Sequence, residues 1–222
     1  MAGRGDLNAW WRFGAAVLSA LSPMLFRARV TGVEHVPMEG PTIVASNHVS
    51  VLDGIALAVV IARHRRRMTR FLTAAEFFRK PLYAWALRLY RQIPIRRGEG
   101  DEGALDEAVR TVREGALAGI FPEGKVNPSP EGPLQRGRSG VARIALATGA
   151  PVVPVGIWGT QGRWPRTGIR WQRPFRTTVA LEFGPPITGE GDPDSPQDTQ
   201  RLTERVMERI AERVAGARRN TR

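Results

Sequence analysis

The chain has 222 residues, of which 42% are hydrophobic and 7% aromatic, so it is long and apolar enough for one globular α/β domain. It has no cysteine, which excludes disulfides, thiolate nucleophiles and cysteine metal sites. The net charge of +12, carried almost entirely by arginine, indicates a phosphate-bearing partner such as nucleic acid, anionic lipid or a small substrate, although a solvated arginine-rich surface would give the same charge.

The first predicted element is a short apolar helix near the start of the chain. From Phe13 to Phe26 the only polar side chains are two serines, and Pro23 interrupts the stretch. It falls short of the ~20 residues that a helix needs to span a bilayer, and tryptophans and arginines flank it. We therefore expect residues 1–26 to form a membrane-interface helix ahead of a main domain over residues 27–222. An N-terminal helix packed into the core is the alternative.

Beyond this helix, the pattern of apolar residues predicts strands and helices that alternate to the end of the chain. Strands are expected at 28–32, 41–46, 68–74, 92–96, 152–158 and 177–184. Segment 117–124 is expected to begin as a strand and to run into a turn that holds Glu123. Helices are expected at 52–64, 76–90, 102–116, 139–151 and 199–219, the second with an internal proline. The last of them has an apolar stripe at steps of four residues, formed by Leu202, Val206, Ile210 and Val214. This alternation predicts a single mixed, mainly parallel α/β sheet flanked by helices. Ligands of such sheets bind beyond the carboxyl ends of strands, and both His48 and Glu123 follow a predicted strand.

Residues 47–53 read NHVSVLD and suggest acid–base chemistry. His48 can take a proton from an alcohol near neutral pH, and Asp53 could accept from its ring N–H and stabilise the imidazolium. No protein nucleophile accompanies this pair, since Ser50 lies outside any G-x-S-x-G elbow. We therefore expect the substrate to supply the hydroxyl, so that the reaction is a transfer. On these residues alone, an ordinary turn with a solvated histidine is an equally good interpretation.

Four segments of the chain resemble, in order and spacing, the motifs of the glycerolipid acyltransferases typified by bacterial lysophosphatidic acid acyltransferase. The first, NHVSVLD, resembles NHxSxxD, and FPEGK resembles the third motif, FPEGT. RQIPIRR occupies the place of the second motif, and RSGVARIALATGAPVVPVGI is similar to the segment that follows the third. Together they span roughly residues 30–185, so the resemblance covers most of the predicted sheet and identifies 27–222 as an acyltransferase domain.

The resemblance implies transfer of a fatty acyl group from an acyl thioester to a free hydroxyl of a lysophospholipid. The expected acceptor is 1-acylglycerol-3-phosphate, which gives phosphatidic acid; another lysolipid or a glycolipid is the alternative. The donor is acyl-CoA or acyl-carrier protein as co-substrate, and neither a further cofactor nor a metal is expected. The N-terminal apolar segment and the net charge, together with lipid substrates, predict a peripheral, monotopic enzyme on the cytoplasmic face of the cell membrane, where acyl donors are made. The expected partners are the donor, the lysophospholipid and the membrane surface, without nucleic acid.

The resemblance assigns roles to individual residues. His48 would deprotonate the acceptor hydroxyl, and Asp53 would orient and charge-stabilise His48. The implied substrate-binding positions are Asn47, Ser50, Arg97, Glu123, Gly124, Lys125 and Arg138. An arginine such as Arg97 can bind a phosphate bidentately. Because a carboxylate repels phosphate, we expect Glu123 to accept from a hydroxyl or to hold a neighbouring arginine.

The chain departs from the family's pattern at three places, none of which touches the His48–Asp53 pair. Arg91 stands where the second motif has glycine, and Ala74 where many members carry lysine. Lys125 and the two residues after it replace Thr-Arg-Ser. These departures leave the reaction type unchanged and bear on the choice of acceptor.

Two other functions compete with this interpretation. A hydrolase could use the same pair to activate water, although the arginines favour a phosphate-bearing acceptor. A basic nucleic-acid-binding protein is supported by the net charge and by the arginine cluster at 63–70, but no recognised binding motif accompanies that cluster. Trp158, Trp164 and Trp171, in or beside the basic segment 159–176, are candidate second membrane contacts.

Overall fold

A computed structural model describes residues 9–96, 101–170 and 176–221 of the chain. Its strands are β1 (Phe26–Thr31), β2 (Thr42–Ser46), β3 (Thr69–Ala74), β4 (Ile93–Ile95), β5 (Leu117–Ile120), β6 (Val152–Trp158) and β7 (Thr177–Phe183). Its helices are α1 (Ala9–Leu25), α2 (Asp53–Arg65), α3 (Pro81–Leu89), α4 (Glu102–Arg113), α5 (Gly140–Thr148) and α6 (Pro196–Arg219).

The strands form one seven-stranded sheet in the order β1-β7-β6-β2-β5-β3-β4. Neighbouring strands are parallel except β6 and β7, which are antiparallel. The predicted mixed, mainly parallel α/β sheet is therefore confirmed. Every residue of β2 and of β6 is buried, as expected for central strands covered by helices on both faces.

Each face of the sheet carries its own apolar core, because successive side chains of a strand point to opposite faces. Ile43 of β2 belongs to the core under α4, α5 and α6, whereas Val44 belongs to the core under α2. Helix α6 lies very close to β6, since a Cβ on Gly156 would lie 2.1 Å from the carbonyl carbon of Arg213. The predicted stripe of α6 is confirmed, with Leu202, Val206 and Ile210 buried and Val214 packed at the edge of that core.

Helix α1 packs on α2 by one face and exposes an apolar face on the other side. Trp11 is 4% exposed and packs with Ala62 and Met68. In contrast, Phe13 is 63% and Leu21 53% exposed. The helix therefore docks on the domain and still presents an apolar surface, and its role at a membrane stays a prediction. Among the described residues, no helix is both long and apolar enough to cross a membrane.

The helix expected over 76–90 is wrong as a single element. The structure has a 3₁₀ turn at Ala75–Arg79, and α3 begins at Pro81. Proline lacks the N–H that an interior position needs but suits the first turn of a helix, so Pro81 starts a new helix. The last helix begins earlier than predicted, at Pro196, because the side chain of Ser195 accepts from the Asp198 N–H and caps it.

Part of the arginine cluster at 63–70 is internal. Arg67 is 2% exposed and donates to the carbonyls of Pro37, Gly40 and Gly115. A buried arginine that bonds backbone carbonyls contributes nothing to a basic surface, so this cluster gives less support to nucleic-acid binding than its sequence suggested.

Candidate active site

Three neighbouring parallel strands bring the candidate residues to one edge of the sheet. Strand β2 pairs in parallel with β5 on one side and with β6 on the other. Their carboxyl ends therefore lie side by side, and His48, Glu123 and Thr160 follow these ends within a few residues. This is the position where ligands bind in open α/β sheets.

His48 and Asp53 form the pair that the sequence predicted. Nδ1 of His48 lies 3.0 Å from Oδ2 of Asp53, whose side chain is fully buried while that of His48 is 14% exposed. Because an ionised carboxylate only accepts, Nδ1 carries the hydrogen and Nε2 keeps its lone pair. Since His48 lines the main cleft, this nitrogen can accept a proton from a bound hydroxyl.

The Asp53 carboxylate has a donor on every side. Oδ2 also accepts from the backbone N–H groups of Val49 (2.7 Å) and Ser50 (2.8 Å). Oδ1 accepts from the hydroxyl of Thr160 at 2.6 Å. Asp53 is also the first residue of α2, where the helix dipole favours a negative charge. The carboxylate is therefore buried and fixed in orientation.

The imidazole of His48 lies flat against an aromatic ring. Its centroid is 4.1 Å from that of Phe121 at an interplanar angle of 14°, and Phe121 stacks in turn on Phe71. A Cβ on Gly119 would lie 2.4 Å from the Phe71 ring, so glycine is needed beneath this stack. Sequence reasoning missed this role of Phe121, although the residue opens the FPEG motif.

Glu123 holds the loop after β5 against His48. Its Oε1 accepts from the backbone N–H of His48 at 2.8 Å, and its Oε2 from that of Gln135 at 3.0 Å. Asn127 donates its side-chain amide to the same Oε2 and its backbone N–H to the His48 carbonyl. Glu123 is 3% exposed, and within residues 9–96, 101–170 and 176–221 the donors to its oxygens are backbone and amide N–H groups. Its contact with the acceptor stays a prediction.

Asn47 and Ser50 lie behind the pair rather than on the cleft wall. The amide of Asn47 pairs with the backbone of Ile157 in both directions, at 3.0 and 2.8 Å. The hydroxyl of Ser50 donates to the carbonyl of Trp164 at 2.6 Å. Both side chains are buried, so the structure supports a positioning role for them. The substrate contacts that the family resemblance implies for them stay predictions.

The cleft in front of His48 has a volume of about 2080 Å³ and two kinds of wall. Helices α1, α2 and α3 supply apolar side chains, among them Leu18, Ile55 and Tyr83. The segment after β5 supplies cations, which are Lys125, Arg136 and Arg138. All three cations are exposed. The cleft therefore suits a ligand with a long apolar part and an anionic head.

Gly124 brings one of these cations close to the backbone. It has a φ of 72°, the left-handed region that favours glycine, and a Cβ there would lie 2.7 Å from Nε of Arg138. The guanidinium thus lies directly over the FPEG turn. Gly124, Lys125 and Arg138 lie together on one wall of the cleft, and their contact with substrate stays a prediction.

Arg97, the predicted phosphate ligand of the second motif, lies outside the described residues. Asp101 bonds the chain on both sides of that gap, accepting from the backbone N–H groups of Arg96 at 2.7 Å and Ala104 at 3.2 Å. The Arg96 N–H is the main cause that lowers the pKa of the Asp101 carboxyl, with the Ala104 N–H and the Arg96 charge acting in the same direction. Arg91, at the family's glycine position, has a φ of 53°, which explains why glycine is usual there.

Two of the three tryptophans proposed as membrane contacts can be placed. Trp158 is 8% exposed, with the Arg218 guanidinium 4.7 Å from its ring centroid, so that prediction is wrong for Trp158. Trp164 is half-buried, and Trp171 lies outside the described residues.

Comparison with known proteins gives consistent matches. The family model described as Acyltransferase matches residues 27–158. The crystal structure of the 1-acyl-sn-glycerophosphate acyltransferase from Thermotoga maritima matches with a TM-score of 0.66 and 26% identity, covering 92% of this chain and 78% of that one.

Two sequence relatives extend this result. An uncharacterized protein of Mycobacterium tuberculosis is 33% identical over 63% of this chain and 39% of its own length. The chloroplastic 1-acyl-sn-glycerol-3-phosphate acyltransferase of Brassica napus is 29% identical over 61% of this chain and 38% of its own length. The chain thus spans about two fifths of the length of these relatives.

Proposed function

The chain belongs to the acyltransferase family, and from this premise we propose that it transfers a fatty acyl group from an acyl thioester to the free hydroxyl of 1-acylglycerol-3-phosphate. The observation that carries the proposal is the His48–Asp53 pair, in which Nδ1 of His48 is bonded to Asp53 and His48 lines a cleft with one apolar and one cationic wall. A lysophospholipid has the same two-part chemistry, an acyl chain and a phosphate.

The reaction follows from the tautomer of His48. Nε2 takes the proton of the acceptor hydroxyl while that oxygen attacks the thioester carbonyl carbon. The tetrahedral intermediate then expels the thiolate, which takes the proton from the imidazolium, so the ester and a free thiol are the products. Asp53 stabilises the imidazolium between these steps through the 3.0 Å bond to Nδ1. General-base catalysis of this kind contributes roughly 10²–10⁴-fold.

The cationic wall is proposed to bind the acceptor phosphate. Arg138 and Lys125 are exposed on the cleft wall, beside the turn that is bonded to the His48 backbone. Their charges attract a dianionic phosphate, and an arginine can bind two of its oxygens at once. Arg97 is proposed to add a third cation. This wall favours a phosphate-bearing acceptor over water, and so favours transfer over hydrolysis.

We also propose that the protein is peripheral on the cytoplasmic face of the cell membrane, where acyl donors are made. The exposed apolar face of α1 supports this, together with Leu82 and Trp85 of α3, which are 75% and 59% exposed. Leu18 of α1 and Tyr83 of α3 are exposed and also line the cleft, so the apolar surface continues to the cleft mouth. Apolar burial and attraction of a chain of charge +12 to anionic lipid would act together.

An acceptor panel tests the proposed reaction. Purified protein is incubated with acyl-CoA or acyl-carrier protein and with lysophosphatidic acid, other lysophospholipids or a glycolipid acceptor, and the products are identified by mass spectrometry. We expect phosphatidic acid from lysophosphatidic acid, with weaker or no product from acceptors without a terminal phosphate. Ready acylation of a phosphate-free acceptor alone would overturn the proposed acceptor but not the reaction type.

A further inference from the structure

One segment of the chain, residues 157–164, contacts every buried polar residue of the NHVSVLD motif. Asn47 pairs with the backbone of Ile157, Ser50 donates to the carbonyl of Trp164, and Asp53 accepts from Thr160. The first two contacts use only the backbone of this segment, so they do not depend on which side chains it carries. The third depends on a side chain, that of Thr160.

The fold holds the Thr160 hydroxyl firmly in place. β6 ends at Trp158, and Gly159 has a φ of 97°, which turns the chain towards the pair. A Cβ on Gly159 would lie 2.1 Å from the carbonyl oxygen of Thr178, so glycine is required at this turn. Thr160 is the first residue of a short 3₁₀ turn, and its carbonyl accepts from the backbone N–H groups of Arg163 and Trp164. Thr160 is 1% exposed.

The two oxygens of Asp53 are held very unequally. Oδ2 has three donors, all from residues 48–50, which are its near neighbours in the sequence. Among the described residues, the donor to Oδ1 is Thr160, which is 107 positions away. The short 2.6 Å distance fits a hydroxyl bonded to a charged carboxylate. This bond fixes the second oxygen, and with the three bonds to Oδ2 it holds the carboxylate plane with Oδ2 directed at His48.

We propose that Thr160 is a positioning residue of the reaction, which acts through Asp53 to keep His48 aligned as a base; this rests on the proposed function. Without the hydroxyl, Oδ1 would be a buried charged oxygen without its donor, and the carboxylate would rotate towards another donor or admit water. Either change weakens the Asp53–His48 bond. Turnover should therefore fall, whereas binding of donor and acceptor, which contact other parts of the cleft, should not.

Three variants separate this role from a structural one. Thr160→Val keeps the shape and removes the hydroxyl, and Thr160→Ser keeps the hydroxyl. Thr148→Val is the matched control, since its hydroxyl bonds to backbone groups at the end of α5, away from the cleft. We expect Thr160→Val to lower kcat about 10- to 100-fold, with both KM values within about twofold. Thr160→Ser should keep about a third or more of kcat, and Thr148→Val should keep nearly all.

A second readout does not depend on the reaction. In ¹⁵N-histidine-labelled protein, the Nδ1–H proton of His48 bonded to a carboxylate gives a downfield NMR signal, assigned by its loss in His48→Ala. We expect this signal in the wild type and in Thr160→Ser, and its broadening or loss in Thr160→Val.

Two results would overturn the proposal. One is an unchanged Nδ1–H signal in Thr160→Val together with wild-type kcat. The other is a lower kcat in Thr160→Val that is accompanied by a lower melting temperature, with an equally low kcat in Thr160→Ser. If the wild type transfers no acyl group to any acceptor, the proposed function fails, and the NMR comparison still decides whether Thr160 aligns the pair.

Discussion

The inner and outer parts of the cleft are built in opposite ways. At the inner end the polar groups are buried and bonded within the protein, as in the four donors around Asp53 and the protein donors around Glu123. At the outer end the cations Lys125 and Arg138 and the apolar face of α1 are exposed. The difference indicates that folding fixes the chemical groups in advance, whereas the outer surfaces stay exposed for the ligand and membrane contacts proposed above.

The largest effect should come from the inner end. We expect His48→Ala to lower kcat by about 10³–10⁴-fold, because it removes the base and the charge that Asp53 stabilises. The melting temperature should change little, since the backbone N–H and carbonyl of His48 make the loop contacts and both remain. Steady-state kinetics and thermal unfolding measure the two effects. His64→Ala, an exposed histidine at the far end of α2, is the matched control.

The next test compares one carboxylate of the inner end with one cation of the outer end. Glu123→Ala should lower kcat about tenfold and the free energy of unfolding by about 2–3 kcal/mol, since it leaves buried donors unpaired. Arg138→Ala should instead raise KM for the acceptor about tenfold, with kcat and KM for the donor nearly unchanged. Arg209→Ala, an exposed arginine of α6, controls for loss of charge.

If Glu123→Ala raised only the acceptor KM, then Glu123 would belong with the outer surfaces and would contact the substrate. If Arg138→Ala lowered kcat without changing the acceptor KM, then the cationic wall would not be the phosphate site.

Residues of the inner end differ among themselves in how well the sequence predicts them. His48 and Asp53 were predicted because both lie within seven contiguous residues that follow a buried strand. Phe121 and Thr160 were missed, because their contacts depend on which strands are neighbours in the sheet. Thr160 does follow a predicted strand, as His48 does, but the sequence does not indicate that β6 lies beside β2. Strand order is set by long-range packing, which local patterns do not encode.

Local sequence patterns were sufficient to predict those helices and strands in which the apolar residues follow a single period. The alternating strands and the apolar stripe of α6 were predicted because burial alone determines them. The prediction of one helix over 76–90 was wrong because the apolar residues continue across Pro81. The apolar periodicity was followed there, although a proline favours a helix start. Asn47 and Ser50 show the same limit at the site: the family resemblance implied substrate contacts for them, which stay predictions, whereas their bonds to a distant segment could not be read from local sequence.

The apolar part of the outer surface can be tested on vesicles. We expect the double variant Phe13→Ser/Leu21→Ser to bind anionic vesicles at least tenfold more weakly in flotation, because each buried apolar side chain contributes about 1.5–3 kcal/mol, and less at an interface. The fold should be retained, since both residues are exposed and Trp11 still docks the helix. Met38→Ser, an exposed apolar residue ahead of β2, is the control. Equal flotation of all three proteins would exclude α1 as the attachment surface.

The smallest effect concerns the second motif. Arg91 has a left-handed backbone, which costs a non-glycine residue about 1 kcal/mol. We therefore expect Arg91→Gly to raise the melting temperature by about 1–3 °C, as measured by calorimetry. Arg66, with a φ of 55° after α2, is the matched position, and Arg66→Gly should act alike. If Arg66→Gly raised the melting temperature and Arg91→Gly lowered it, the Arg91 side chain would make a contact that stabilises the fold by more than the backbone strain costs.

The most direct test of the central claim follows the fate of the acyl group in a single turnover. A labelled acyl thioester is mixed with excess enzyme and lysophosphatidic acid, and the label is divided between phospholipid and free fatty acid. Transfer by the His48–Asp53 pair predicts that the wild type places nearly all of the label in phosphatidic acid and that His48→Ala leaves the thioester intact. Label released mainly as free fatty acid, or phosphatidic acid formed equally fast by His48→Ala, would contradict the account.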